Sequence, residues 1–158
     1  MFFEKQCAEG ALNVDDFDDP SDRRKNPLDE RPQPEILSWC DERPTERYVT
    51  LSRAVTFHSN ESGGISWTRV AREMLRRAPD PLAVLKYFVG RFSPTSWMGS
   101  RAAIVESRLP LLDQLGELRD ASTIEFIRQA RAELVQDITR SRKWETERDS
   151  DRDERFEN

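Results

Sequence analysis

The chain has 158 residues, 36% of them hydrophobic and 35% charged, with a formal net charge of −5. That length suits one domain with solvated flanks, and the apolar share is too low for every segment to pack. Residues 1–32 hold nine acids against five bases, 33–140 fourteen against fifteen, and 141–158 seven against five, a balance that lacks the basic footprint of a binder of nucleic acid or anionic lipid.

Residues 1–32 read as an acidic, mostly disordered segment. Asp15, Asp16, Asp18, Asp19 and Asp22 repel one another, and Pro20, Pro27 and Pro32 interrupt regular structure. Among its apolar residues, Phe2, Phe3, Leu12, Val14 and Phe17 are enough for a short docking segment. A helical domain is expected over 33–144. Pro34 suits a first helical turn, and Ile36, Leu37 and Cys40 follow at helical spacing up to Pro44. Thr45 is the candidate cap of a second helix, with Tyr48, Leu51 and Val55 on one face. His58 to Gly64 reads as a polar loop.

The strongest periodicity comes next. Behind a candidate cap at Ser66, Trp67, Val70, Ala71, Met74, Leu75 and Ala78 make an apolar stripe, opposite Arg69, Arg72, Glu73, Arg76 and Arg77. Pro79-Asp80-Pro81 stops this helix and starts another, with Asp80 capping and Pro81 in the first turn. Leu82, Val84, Leu85, Phe88, Val89 and Phe92 supply its apolar face. So short a connector predicts an antiparallel helix hairpin. After a loop over 93–99, Ser100 is the candidate cap of a helix carrying Ala103, Ile104, Leu109, Leu112 and Leu115, divided near Arg108 by Pro110. Ser122 is the candidate cap of a long helix striped by Ile124, Ile127, Ala130, Leu134 and Ile138. Residues 145–158 read as a charged helical extension or tail, fraying after Trp144. The expected fold class is all-α: antiparallel helix hairpins stacked as a short array, or an irregular helical bundle.

With two hairpins of about 40 residues each, the chain resembles HEAT-type helical repeats. The residues that carry the likeness are the turns Ala78-Pro79-Asp80-Pro81-Leu82 and Leu118-Arg119-Asp120-Ala121-Ser122, each separating two apolar helices, within 66–140. Pro110 and the 93–100 loop depart from the repeat pattern. The resemblance implies protein–protein binding on a helical surface. The stretch from Arg91 to Arg101 is also similar to a loop in the C-terminal helical regions of some large bacterial proteins; this implies a bacterial origin and a detached relative, and no activity.

Little in the sequence points to bond chemistry. His58 is the sole histidine and lies beside Ser59-Asn60-Glu61-Ser62-Gly63-Gly64, with both cysteines far off in sequence, so it reads as a solvated loop histidine and not as the base of a triad. Cys7, Cys40 and His58 have no metal-ligand spacing, and neither a P-loop nor a dinucleotide-binding glycine pattern occurs. No catalytic, cofactor or metal residue is therefore expected. The chain lacks a signal-peptide pattern and a spanning apolar run of about 20 residues, so a cytoplasmic setting with reduced thiols is expected. The candidate partner-binding residues are Trp97 and Met98, flanked by Arg101, and the arginines Arg69, Arg72 and Arg76 on one helix face. Two alternatives stand against these. Trp97 as a staple over the Ile104 face is one, and the arginines as a solubilising face paired with Glu73 and Glu106 is the other. Arg91 and Arg108 would join that face if the hairpins stack. Trp39 and Trp67 fit core positions. The expected function is a non-catalytic adaptor or scaffold for a protein partner; an inhibitor that blocks a partner and an arginine-based nucleic-acid module are the alternatives.

Overall fold

In the computed structural model, the described residues are Asn26, 28–61, 64–116, Leu118 and 120–156. They form a mainly helical fold with one small antiparallel sheet. In chain order the elements are α1 (Gln33–Glu42), α2 (Pro44–Ser52), β1 (His58–Glu61), β2 (Gly64–Trp67), α3 (Arg69–Arg77), α4 (Pro81–Gly90), α5 (Arg101–Arg108), α6 (Pro110–Asp113) and α7 (Ala121–Phe156). The most N-terminal segment, 1–25, and its apolar residues lie outside the described residues.

The helix boundaries follow local chemistry. Asp80 accepts the Ala83 amide at the start of α4, 2.9 Å away, with Pro81 in the first turn. Ser100 does the same for Ala103 at α5, at 3.0 Å. Pro110 separates α5 from the short α6, because its ring cannot follow an uninterrupted turn. Three expected caps move. Pro44 itself begins α2 behind Arg43, so Thr45 is not the cap. Thr68, not Ser66, receives the Ala71 amide of α3. Asp120, not Ser122, receives the Thr123 amide of α7 at 2.9 Å; at α3 and α7 the capping side chain belongs to the residue three positions before the amide that it accepts.

The expected loop from His58 to Gly64 is instead a hairpin. His58 pairs with Trp67, Ser59 with Ser66, Asn60 with Ile65 and Glu61 with Gly64. Gly64 has φ +104°, a conformation that a side chain strains. Its use is to aim Trp67. The Trp67 ring is buried at the end of β2, packed on Phe57, Phe88 and Phe92, and its Nε1 donates to the Leu111 carbonyl at 2.8 Å. Trp67 is thus core, as expected, but from a strand.

The core unites α1 to α4 with β2 and α6. Ile36, Leu37, Cys40, Tyr48, Leu51, Val55, Ala71, Met74, Leu75, Val84, Leu85, Phe88 and Phe92 are all buried, and α3 packs on α4 as the proline turn between them requires. Trp39 is half-buried, its ring covered by the Arg47 guanidinium at 4.5 Å. Asn26 and Leu28, within the segment expected to stay outside the domain, are buried. Asn26 donates through Nδ2 to the Ala54 carbonyl at 2.7 Å.

The C-terminal pair is α5 against α7, and α7 also touches α4. Both expected stripes hold in their later part, with Leu112, Leu115, Ala130, Leu134 and Ile138 buried, and differ at their start. α5 buries Ala102, Val105 and Arg108 where Ala103 and Ile104 were expected, and α7 buries Thr123, Ala130, Leu134 and Ile138, leaving Ile124 exposed. Beyond Trp144, α7 continues as a helix to Phe156. Glu145 explains part of that extension. Its carboxylate accepts from Ser100 Oγ at 2.8 Å and from the Ala102 amide at 3.2 Å, tying the end of α7 to the start of α5.

Candidate functional site

The residues of interest gather where the loop after α4 meets the outer face of α7. Asp137, Ser141 and Glu145 recur at four-residue steps along α7, one face of its helix. Arg101, in the first turn of α5, reaches that face with both terminal nitrogens. Nη1 donates to Asp137 Oδ1 at 2.9 Å, Nη2 lies 2.8 Å from Oδ2, and Nη1 also donates to Ser141 Oγ at 2.7 Å. Ser93 Oγ adds a donor to Asp137 Oδ2 at 2.9 Å. The Arg101 hydrogen bonds hold the Asp137 carboxyl below the usual carboxylate range, helped by Ser93 and by the nearby Arg140 charge, against the opposing effect of burial.

This clamp presents aromatic surface. The Arg101 guanidinium sits 5.5 Å from the Trp97 ring centroid. Trp97, Arg101, Asp137, Arg140, Ser141 and Trp144 line a shallow groove of about 300 Å³. Trp97 is 39% exposed, Trp144 52% and the neighbouring Met98 73%. Trp97 therefore lies against α7 with much of its ring open. It is not a fully buried staple. Trp144, Asp137 and Arg140 were missed as site residues in the sequence. Their signal was present, since 137, 140, 141 and 144 share one helix face, but nothing local pairs that face with Trp97.

The expected arginine face separates into two groups. Arg91 and Arg108 turn inward, which corrects their placement on an exposed surface. Arg108 is 5% exposed and donates to the carbonyls of Arg91 and Phe92 at 2.9 and 3.1 Å. Arg91 donates to the carbonyls of Ser52 and Val55 and lies over Phe57. Both satisfy carbonyls left open at helix C-termini, where cations are favoured. Arg101 is committed to Asp137. Arg69, Arg72 and Arg76 remain on the outer face of α3, with Arg76 bridging to Glu73 at 2.6 Å. Glu106 pairs instead with Arg142.

The remaining candidates are quickly placed. His58 stands in β1 with its ring 4.6 Å from Phe57, and Cys40 is buried. Among the described residues no cluster of His, Cys, Asp or Glu has the geometry of a metal site, and no helix is long and apolar enough to cross a membrane. Comparison with protein-family models, with curated proteins and with solved structures finds no match. The site stands on its own geometry.

Proposed function

We propose that this chain is a non-catalytic adaptor or scaffold that binds a protein partner through the Trp97–Trp144 groove, with Met98 at its edge. The observation that carries this is the convergence of two half-open indoles from separate elements, held in place by the Arg101–Asp137 clamp. Rigid aromatic side chains beside an arginine bind apolar side chains of a partner at low entropic cost, which is why such residues dominate interfaces. Recognition on this reading works by shape and charge complementarity, without bond chemistry. A HEAT-like stacking of the α3–α4 and α5–α7 pairs is part of the proposal. It is supported by the packing within each pair and by the contact of α4 with α7.

The test is a capture experiment from a lysate of the source organism, run with the native chain and with a Trp97→Ala, Trp144→Ala double variant. A specific protein retained by the native chain should be lost by the variant, while Tm moves by no more than about 3 °C, because neither indole is core. Equal retention by both chains overturns the proposal, as does a fall in Tm above about 8 °C, which makes the tryptophans structural.

A further inference from the structure

A second recessed surface lies away from the tryptophan groove, between α3 and the connector that precedes α7. It is a cleft of about 380 Å³ lined by Trp67, Leu75, Pro81, Leu115 and Leu118, with Arg72, Arg76 and Gln114 also on its wall. Its floor is apolar. Trp67, Leu75 and Leu115 are core side chains whose outer edges form the base. Gln114 is held in place by donating to the Ile65 carbonyl at 2.9 Å. Its rim is basic: the Arg72 guanidinium makes no hydrogen bond or ion pair among the described residues, and Arg69 lies one turn earlier on the same face. A site of this volume, with an apolar base and guanidinium groups beside it, suits a bulky apolar side chain flanked by carboxylates.

The chain carries such a segment. Asp15-Asp16-Phe17-Asp18-Asp19 places one aromatic between two pairs of acids, and it lies outside the described residues. Where the described chain begins favours delivery to this cleft. Asn26 donates to Thr56 Oγ1 at 3.3 Å, and the Thr56 carbonyl accepts from Thr68 Oγ1 at 2.8 Å. Thr68 is the N-cap of α3, the helix that bears Arg72 and Arg76. The nine residues from Phe17 to Asn26 can span up to about 30 Å, whereas α3 is only about 13 Å long. Reach is ample.

We propose that the cleft at Arg72, Arg76 and Leu75 binds the chain's own Asp15–Asp19 segment, with Phe17 over the apolar base and the carboxylates on the arginines. Tethering raises the effective concentration of the segment to the millimolar range, so even weak contacts keep the cleft occupied. The inference is independent of the tryptophan groove, which uses other residues on another face.

The full chain tests it by ¹H–¹⁵N NMR. Phe17→Ala should shift the amide signals of Leu75, Arg76, Gln114, Leu115 and Leu118, although these residues are more than fifty positions away. Arg72→Glu and a rise from about 50 to about 500 mM NaCl should move the same signals in the same direction, because both weaken the ionic contacts. A synthetic peptide of residues 12–22 added to the Phe17→Ala chain should return them towards their native positions. Three results overturn the proposal: no shift at the cleft with Phe17→Ala; equal rescue by a scrambled peptide of the same composition, which makes the cleft a general anion site; or shifts that depend on protein concentration, which make the contact one between copies.

Discussion

Arg101 shows how one side chain becomes a positioning element. Its neighbour Trp97 was visible four residues away in the sequence, but its partner Asp137 lies 36 positions on. With two parallel hydrogen bonds the pair is stronger than an ordinary surface ion pair. Because Asp137 is held below its unfolded value of about 3.9, its contribution is complete above about pH 4 and fades as pH falls through the depressed folded value. Urea unfolding from pH 7 to pH 3 should therefore show a steeper loss of stability in the native chain than in Asp137→Asn. At pH 7 the variant should be less stable by about 1 kcal/mol. Parallel pH profiles for the two chains would show that Asp137 has no part in the acid response.

Among the elements, the β1–β2 hairpin is the one that periodicity did not disclose. Ser59, Asn60 and Glu61 are polar, so β1 has no alternating apolar pattern, and Ile65 and Trp67 in β2 continue without a break into the stripe of α3. A helix and a short strand therefore competed for Trp67, and the turn at Gly64 decided in favour of the strand. Gly64 has open space around it but a positive φ, so strain and not crowding sets the effect of a side chain there. Gly64→Ala should cost about 1 kcal/mol, read as a lower urea midpoint with an unchanged slope. An unaltered midpoint would mean that this backbone conformation is not maintained. The helices were more legible. Asp80, Pro81, Ser100 and Pro110 mark their boundaries by chemistry that acts within a turn, and the buried faces of α3 and α4 follow the expected spacing.

Across the whole molecule, hydrogen bonds tie the part up to α4 and its following loop to the elements from α5 onward: Trp67 to the Leu111 carbonyl, Gln114 to the Ile65 carbonyl, Ser93 to Asp137, and Arg108 to the carbonyls after α4. Arg108→Met keeps much of the side-chain volume but strips both carbonyls of their donor. We expect a loss of about 2–3 kcal/mol in chemical unfolding, with helical circular dichroism retained in the absence of denaturant. A neutral result would show that the Arg108 bonds have no part in holding the two halves together. The sequence by itself determined the helical class, the proline-marked hairpin turn, most of the core faces and the exposure of Met98. Those properties arise from residues within about four positions of one another, and one segment suffices to read them. Only the tertiary structure decided which arginines are internal, that Trp144 meets Trp97, and that Arg72 borders an apolar cleft. Each depends on which of many chemically equivalent partners the packing brings within about 3 Å, and local pattern carries no information about that choice.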